Sequence, residues 1–161
     1  MYRKKLIGYM QIKTKTIRNL KIIEKELNFI PSGVVTLPLE VEIEQFATTF
    51  VYHNKNIYFF INDNELYRKI LFGYISKFTA IKDSSIAKKS KQSTGNNYTL
   101  FYISISGIVK NIKEKNVINS VYQGFIQKYS GKLIDSEIKS KSFSKLVYID
   151  TEEMTATEEI G

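Results

Sequence analysis

Residues 46–61 read FATTFVYHNKNIYFFI, and the folding of this stretch decides the class of the whole chain. Phe46, Thr48, Phe50 and Tyr52 alternate with Ala47, Thr49 and Val51, the two-residue period of a half-buried strand. His53, Asn54, Lys55 and Asn56 supply turn residues, and the bulky run 57–61 returns as a second arm. The stretch predicts a β-hairpin, and with it a sheet joined by tight turns rather than by helical crossovers.

Upstream, residues 16–30 (TIRNLKIIEKELNFI) place Ile17, Leu20, Ile23, Leu27 and Ile30 at three- and four-residue steps, which predicts a helix with Thr16 as its N-cap. Pro31-Ser32-Gly33 ends it, and GVVTLPL (33–39) reads as a strand with Pro38 at its end or on an exposed edge. Downstream, Asn62 or Asp63 caps a short helix that turns Leu66, Ile70 and Tyr74 inward, with Gly73 near its end. SKFTAIKD (76–83) reads as a strand, and SSIAKKSKQSTGNN (84–97) as a mobile loop with nothing periodic to pack.

YTLFYISISGIVKNI (98–112) predicts a long strand in which Gly107 permits a bulge or a close backbone approach. Residues 115–131 predict a second long helix that buries Val117, Val121 and Phe125 and is capped by Gly131. SKLVYID (144–150) reads as the last strand, and TEEMTATEEIG (151–161) as an acidic tail. The expected fold is mainly β (α+β), with six antiparallel strands in a small barrel and flanking helices, in a single domain over residues 1–161.

Composition removes several chemistries. A chain of 161 residues, 43% hydrophobic, can bury one sizeable core. It has no cysteine, so disulfides, thiolate catalysis and cysteine-bound metal clusters are excluded. Its single histidine, His53, falls in the turn, too few nitrogen ligands for a typical histidine metal site, and no metal is expected. No pair of carboxylates is placed for general acid–base work, and there is no glycine-rich phosphate loop.

The net charge of +8 attracts polyanions, although the cations are scattered along a chain rich in Lys, Ile and Asn. No apolar run reaches the roughly 18 residues of a membrane span, and the apolar part of MYRKKLIGYM is too short for a signal peptide, which predicts a cytoplasmic protein. The sharpest local feature is the cation pair Arg68-Lys69, one turn beyond the point where the apolar run stops at Asn62-Asp63-Asn64. Near a helix start such a pair suits a phosphate; the plain alternative is a solvated turn.

The order of elements resembles the split-barrel flavin-binding family typified by pyridoxamine 5'-phosphate oxidase. The resemblance rests on NIYFFIN (56–62) with its cationic short helix, on ISISGIVKNIKE (103–114), on QKYSG (127–131) and on KLVYIDTEE (145–153). It implies a homodimer with flavin mononucleotide (FMN) at the subunit interface, the phosphate on Arg68 and Lys69, Asn62 among the cofactor-binding residues where oxidases carry an Asn after the apolar strand, and Thr48 and Thr49 along the flavin edge. It further implies a flavin-dependent oxidoreductase acting on a small molecule, with nucleic acid not expected as a partner.

The chain departs from the oxidase pattern at Ile61, where oxidases tend to have Thr, and at Phe101 and Tyr102, where they use Arg and Gln. The resemblance therefore implies no catalytic residue. A second class, a cofactor-free basic barrel that binds nucleic acid or an acidic partner, is separated from the first by the absorbance of the purified protein.

Overall fold

A computed structural model describes residues 12–86, 98–130 and 145–161. Among them, eight strands form one antiparallel sheet. In chain order the elements are β1 (Lys13–Ile17), α1 (Leu20–Phe29), β2 (Gly33–Pro38), β3 (Ile43–Thr48), β4 (Val51–His53), β5 (Asn56–Ile61), α2 (Asn64–Lys69), β6 (Ile75–Ile86), β7 (Tyr98–Asn111), α3 (Lys115–Tyr129) and β8 (Lys145–Ile160). The sheet order is β3-β2-β6-β7-β8-β5-β4, with β1 added alongside β8.

The decisive stretch folds as two half-hairpins. Residues 43–48 pair with β2, whereas 51–53 pair with β5. Thr49 and Phe50 carry the chain from one edge of the sheet to the other, so the barrel is closed by chain continuity and not by a β3–β4 ladder. This is a split barrel. The β4–β5 turn is as tight as the sequence predicts: Asn54 and Lys55 have φ of 47° and 66°, the paired left-handed residues of a type I′ hairpin.

Three expectations are corrected. The helix over 16–30 begins three residues late: Lys13–Ile17 is strand β1, and Asn19, not Thr16, caps α1 by accepting from the Lys21 N–H at 3.0 Å. Ile17 thus packs into the core from a strand, and Leu20 is exposed. Tyr74 is exposed as well, beside Gly73 at φ 91°.

Residues 151–161 are not a tail. They continue β8 to Ile160, pairing on one side with β7 and on the other with β1. The six expected strands become eight because β1 is added and the single arm over 46–53 divides into β3 and β4. Of the predicted loop, residues 84–86 end β6, while 87–97 lie outside the described residues, as does the Gly131 cap.

Two cores result. The barrel interior holds Val35, Leu37, Phe50, Ile57, Phe59, Phe78, Ile103, Ile105 and Ile149, and α1 adds Ile23, Leu27 and the following Ile30. A second layer forms where Val121, Phe125 and Tyr129 of α3 pack on the outward residues Val51, Tyr58 and Phe60. Helix α3 therefore covers the outer face of β4, β5 and β8 only.

The last turn of α3 joins the halves. The buried Tyr129 hydroxyl accepts from the Phe50 N–H at 3.0 Å and points its own proton at the carbonyls of Pro31 (2.7 Å) and Phe50 (2.9 Å). The β3–β4 crossing, where no ladder can satisfy Phe50, is satisfied by a side chain instead.

Candidate functional site: the α2 cation pair and the uncovered sheet face

Asp63 caps α2, its carboxylate accepting from the N–H groups of Glu65 (2.8 Å) and Leu66 (3.2 Å). The helix lasts only six residues, so Arg68 and Lys69 lie in its last turn rather than at its start. This corrects the expectation of help from a helix N-terminus, because the dipole there favours cations and gives an anion nothing. Lys69 makes an exposed i,i+4 ion pair with Glu65 at 3.5 Å, which is weak and easily exchanged.

The exit of α2 is tied to the end of β2 by the Leu39–Ile70 bridge and by the Leu71 N–H to Pro38 carbonyl bond of 3.0 Å. A pocket of about 320 Å³ opens there, with Arg68 and Lys69 on one wall and Glu40 and Glu42 on the other. The two carboxylates offset the two cations. Asn62 is exposed at the start of the same helix.

Thr48 and Thr49 are elsewhere. Thr48 pairs with Gly33 at the far end of β2 and donates its hydroxyl to the Thr49 carbonyl at 3.0 Å. The six residue steps from Gly33 to Leu39 span roughly 20 Å at a strand's rise. Within one chain the structure brings Arg68, Lys69 and Asn62 to one end of the barrel and does not bring Thr48 and Thr49 to them.

The surface that sequence reasoning missed is the outer face of β2, β3, β6 and β7, which α3 leaves bare. On β6 the inward residues are Ser76, Phe78 and Ala80, so Ile75, Lys77, Thr79 and Ile81 point out. On β7, Ile103 and Ile105 are buried while Ser104 and Ser106 face outward. Lys77, Thr79, Ser104 and Ser106, with Glu153 and Thr155 of β8, line a groove of about 310 Å³ carrying four hydroxyls, one cation and one carboxylate. Around it Ile43, Ile75 and Ile81 are 69%, 62% and 53% exposed. The alternation ISIS at 103–106 was the available signal, since its serine side had to face something other than the core.

Near the last turn of α3 lies a lysine, Lys128, whose titration burial displaces downward. Lys128 Nζ donates to the carbonyls of Leu27 (2.9 Å) and Phe50 (3.1 Å) and stands 3.5 Å from the centre of the Phe50 ring. The three ammonium N–H groups thus have three acceptors. Burial nevertheless pushes Lys128 down from 10.5 to about 7.

A depressed lysine leaves the unfolded chain holding more protons between about 7 and 10.5, so stability rises with pH across that window and the full penalty stands below it. Relative to Lys128→Met, the wild type should gain stability between pH about 6.5 and about 9, as read by urea midpoints at the two values. Parallel pH profiles for the two proteins would contradict this.

Among the described residues no three His, Cys, Asp or Glu side chains cluster as metal ligands, and no helix is long and apolar enough to cross a membrane. No protein-family model matches the sequence, and no curated protein is significantly similar to it. Solved structures do match. A candidate 5-nitroimidazole antibiotic resistance protein from Bacteroides thetaiotaomicron superposes with a TM-score of 0.68 over 92% of this chain and 89% of its own, at 14% identity.

An FAD-binding protein from Mesorhizobium loti gives 0.63 over 92% and 98%, at 10% identity. A candidate pyridoxamine 5'-phosphate oxidase from Corynebacterium glutamicum gives 0.58 over 91% and 98%, at 12% identity. At such identities the likeness is one of fold. The chain has the split-barrel fold of the pyridoxamine 5'-phosphate oxidase-like proteins.

Proposed function

We propose that the protein binds a flavin, FMN, as a two-fold homodimer in the cytoplasm, and uses it as an oxidoreductase on a small molecule. The observation that carries this reading is the uncovered face, a hydroxyl-lined groove ringed by exposed isoleucines on a barrel like that of an FAD-binding protein. A flat ring with heteroatoms at its edge fits such a surface: its faces pack on the aliphatic side chains, and its edge atoms bond to Thr79, Ser104, Ser106 and Thr155. Arg68 and Lys69 are assigned to the phosphate, with Asn62 beside them. Thr48 and Thr49, which lie at the far end of β2 from the cation pair of their own chain, are assigned to the edge of the flavin whose phosphate the other copy's Arg68 and Lys69 hold.

When bound, the flavin supplies the electron acceptor and donor. The chain supplies binding, orientation and the exclusion of water. The test is the absorbance of the purified protein at the flavin bands, followed by identification of the heat-released cofactor. FMN is expected; FAD would correct the cofactor, and a protein that carries and takes up neither would overturn the reading.

Exposed isoleucines clustered on one sheet face also favour a second copy as their cover. Light scattering at micromolar concentration should give twice the 18.7 kDa of one chain. A value of 18.7 kDa would exclude the dimer.

A further inference from the structure

On the side of the barrel away from the sheet groove, a cavity of about 490 Å³ opens between the end of α1, strand β4 and the last turns of α3. Its size lies within the range of small-molecule pockets. Three elements contribute polar groups to it: Asn28 from α1, His53 from β4 and Gln127 from α3. The two side-chain amides make no hydrogen bond among the described residues, although each offers two donors and an acceptor.

Phe29 stands at the rim, 74% exposed. The floor is Val51 and Gly124. A glycine in mid-helix costs about 1 kcal/mol against alanine. Here its missing side chain lets α3 close on β4, since a Cβ would lie 3.0 Å from a Val51 methyl, and it leaves the cavity unfilled.

Charge narrows the ligand. No carboxylate lines the cavity, so amines find no counter-ion. Its one ammonium, Lys128, has its three N–H groups committed to Leu27, Phe50 and the Phe50 ring, so phosphates and carboxylates find no free partner. What remains is a pair of amides and the His53 imidazole, able to read a donor–acceptor edge, and an aromatic ring able to stack.

We propose that this cavity is a second binding site, for a neutral planar heterocycle with adjacent donor and acceptor atoms, of which a nucleobase is the simplest case. The Asn28 and Gln127 amides bond the edge of the ring, and Phe29 covers its face. The site is separate from the uncovered sheet face, and the proposal holds whether or not a flavin binds there.

Adenosine serves as the probe, titrated calorimetrically against wild type, Asn28→Ala/Gln127→Ala and Phe29→Ala. All three positions are exposed, so the variants should fold, and circular dichroism checks that they do. Adenosine should bind wild type saturably, and each variant should bind at least tenfold more weakly. Adenosine monophosphate should bind no more tightly than adenosine, and FMN present in excess should leave the titration unchanged.

The proposal is overturned if adenosine does not bind, if the variants bind it as wild type does, or if FMN displaces it. It is also overturned if a short oligoribonucleotide binds far more tightly, with steep salt dependence, because the surface would then be a phosphate track.

Discussion

Gly107→Ala should destabilise the protein by about 3 kcal/mol or more, the upper range for forcing a methyl group into a filled space. Gly107 lies on β7 opposite Thr151, where the β7–β8 register shifts by a bulge. A Cβ built there overlaps the Asp150 carbonyl oxygen, and that atom is backbone. It cannot step aside cheaply. β8 pairs with β7 through Asp150 and with β5 through Ile149, and the Thr151 N–H is held by the Asn56 side chain at 3.1 Å. Urea denaturation of the two proteins measures the difference.

Gly73→Ala is the control. That residue has a left-handed φ of 91° with nothing within 4 Å of a new Cβ, so its loss should stay near the 1–2 kcal/mol of conformational strain. Equal effects at both positions would show that crowding at the bulge is not what Gly107 relieves. The bulge lies beside the proposed site, immediately after the Ser106–Glu153 pair that lines the groove.

Replacing Arg68 and Lys69 together with Ala should weaken FMN binding by roughly a hundredfold, since hydrogen bonds to charged groups contribute on the order of 1.5–3 kcal/mol each. Both side chains are exposed and α2 buries none of its residues, so the barrel should remain folded. Riboflavin, which lacks the phosphate, should bind weakly to wild type and be almost indifferent to the change.

The neighbours set the margin. Glu65 competes for Lys69, and Glu40 and Glu42 face the pair across the pocket. If FMN and riboflavin respond alike, the pair is a solvated helix end whose charges are already balanced, and the phosphate assignment falls.

The class of fold was legible in the alternation of 46–61 and in the type I′ turn residues, since both are local. The separation of β3 from β4 was not. Nothing in FATTFVYH breaks the two-residue period, and only the competition of β2 and β5 for partners decides that the arm divides at Thr49-Phe50.

The strand over 151–160 was hidden by its acidity. Its inward residues are the modest Met154 and Ala156, and the carboxylates that suggested a tail are matched across the sheet, Glu158 opposite Lys15 of β1. β1 was hidden for the same reason, as KTKTI looks like a solvated lead-in until its partner is known. Arg68 and Lys69 stood out in the sequence as a cation pair, but their place at the end of α2 depended on a helix length that no spacing fixed. The hydroxyl groove was missed because its residues come from three strands brought side by side by pairing alone.

The most direct test of the central claim is a map of backbone amide shifts in the isotope-labelled protein as FMN is added. Flavin binding on the uncovered face should give saturable changes at Lys77, Thr79, Ser104, Ser106 and Thr155, together with changes at Arg68 and Lys69. Shifts that fail to appear there, or that gather instead around Asn28, Phe29 and Gln127, would contradict it.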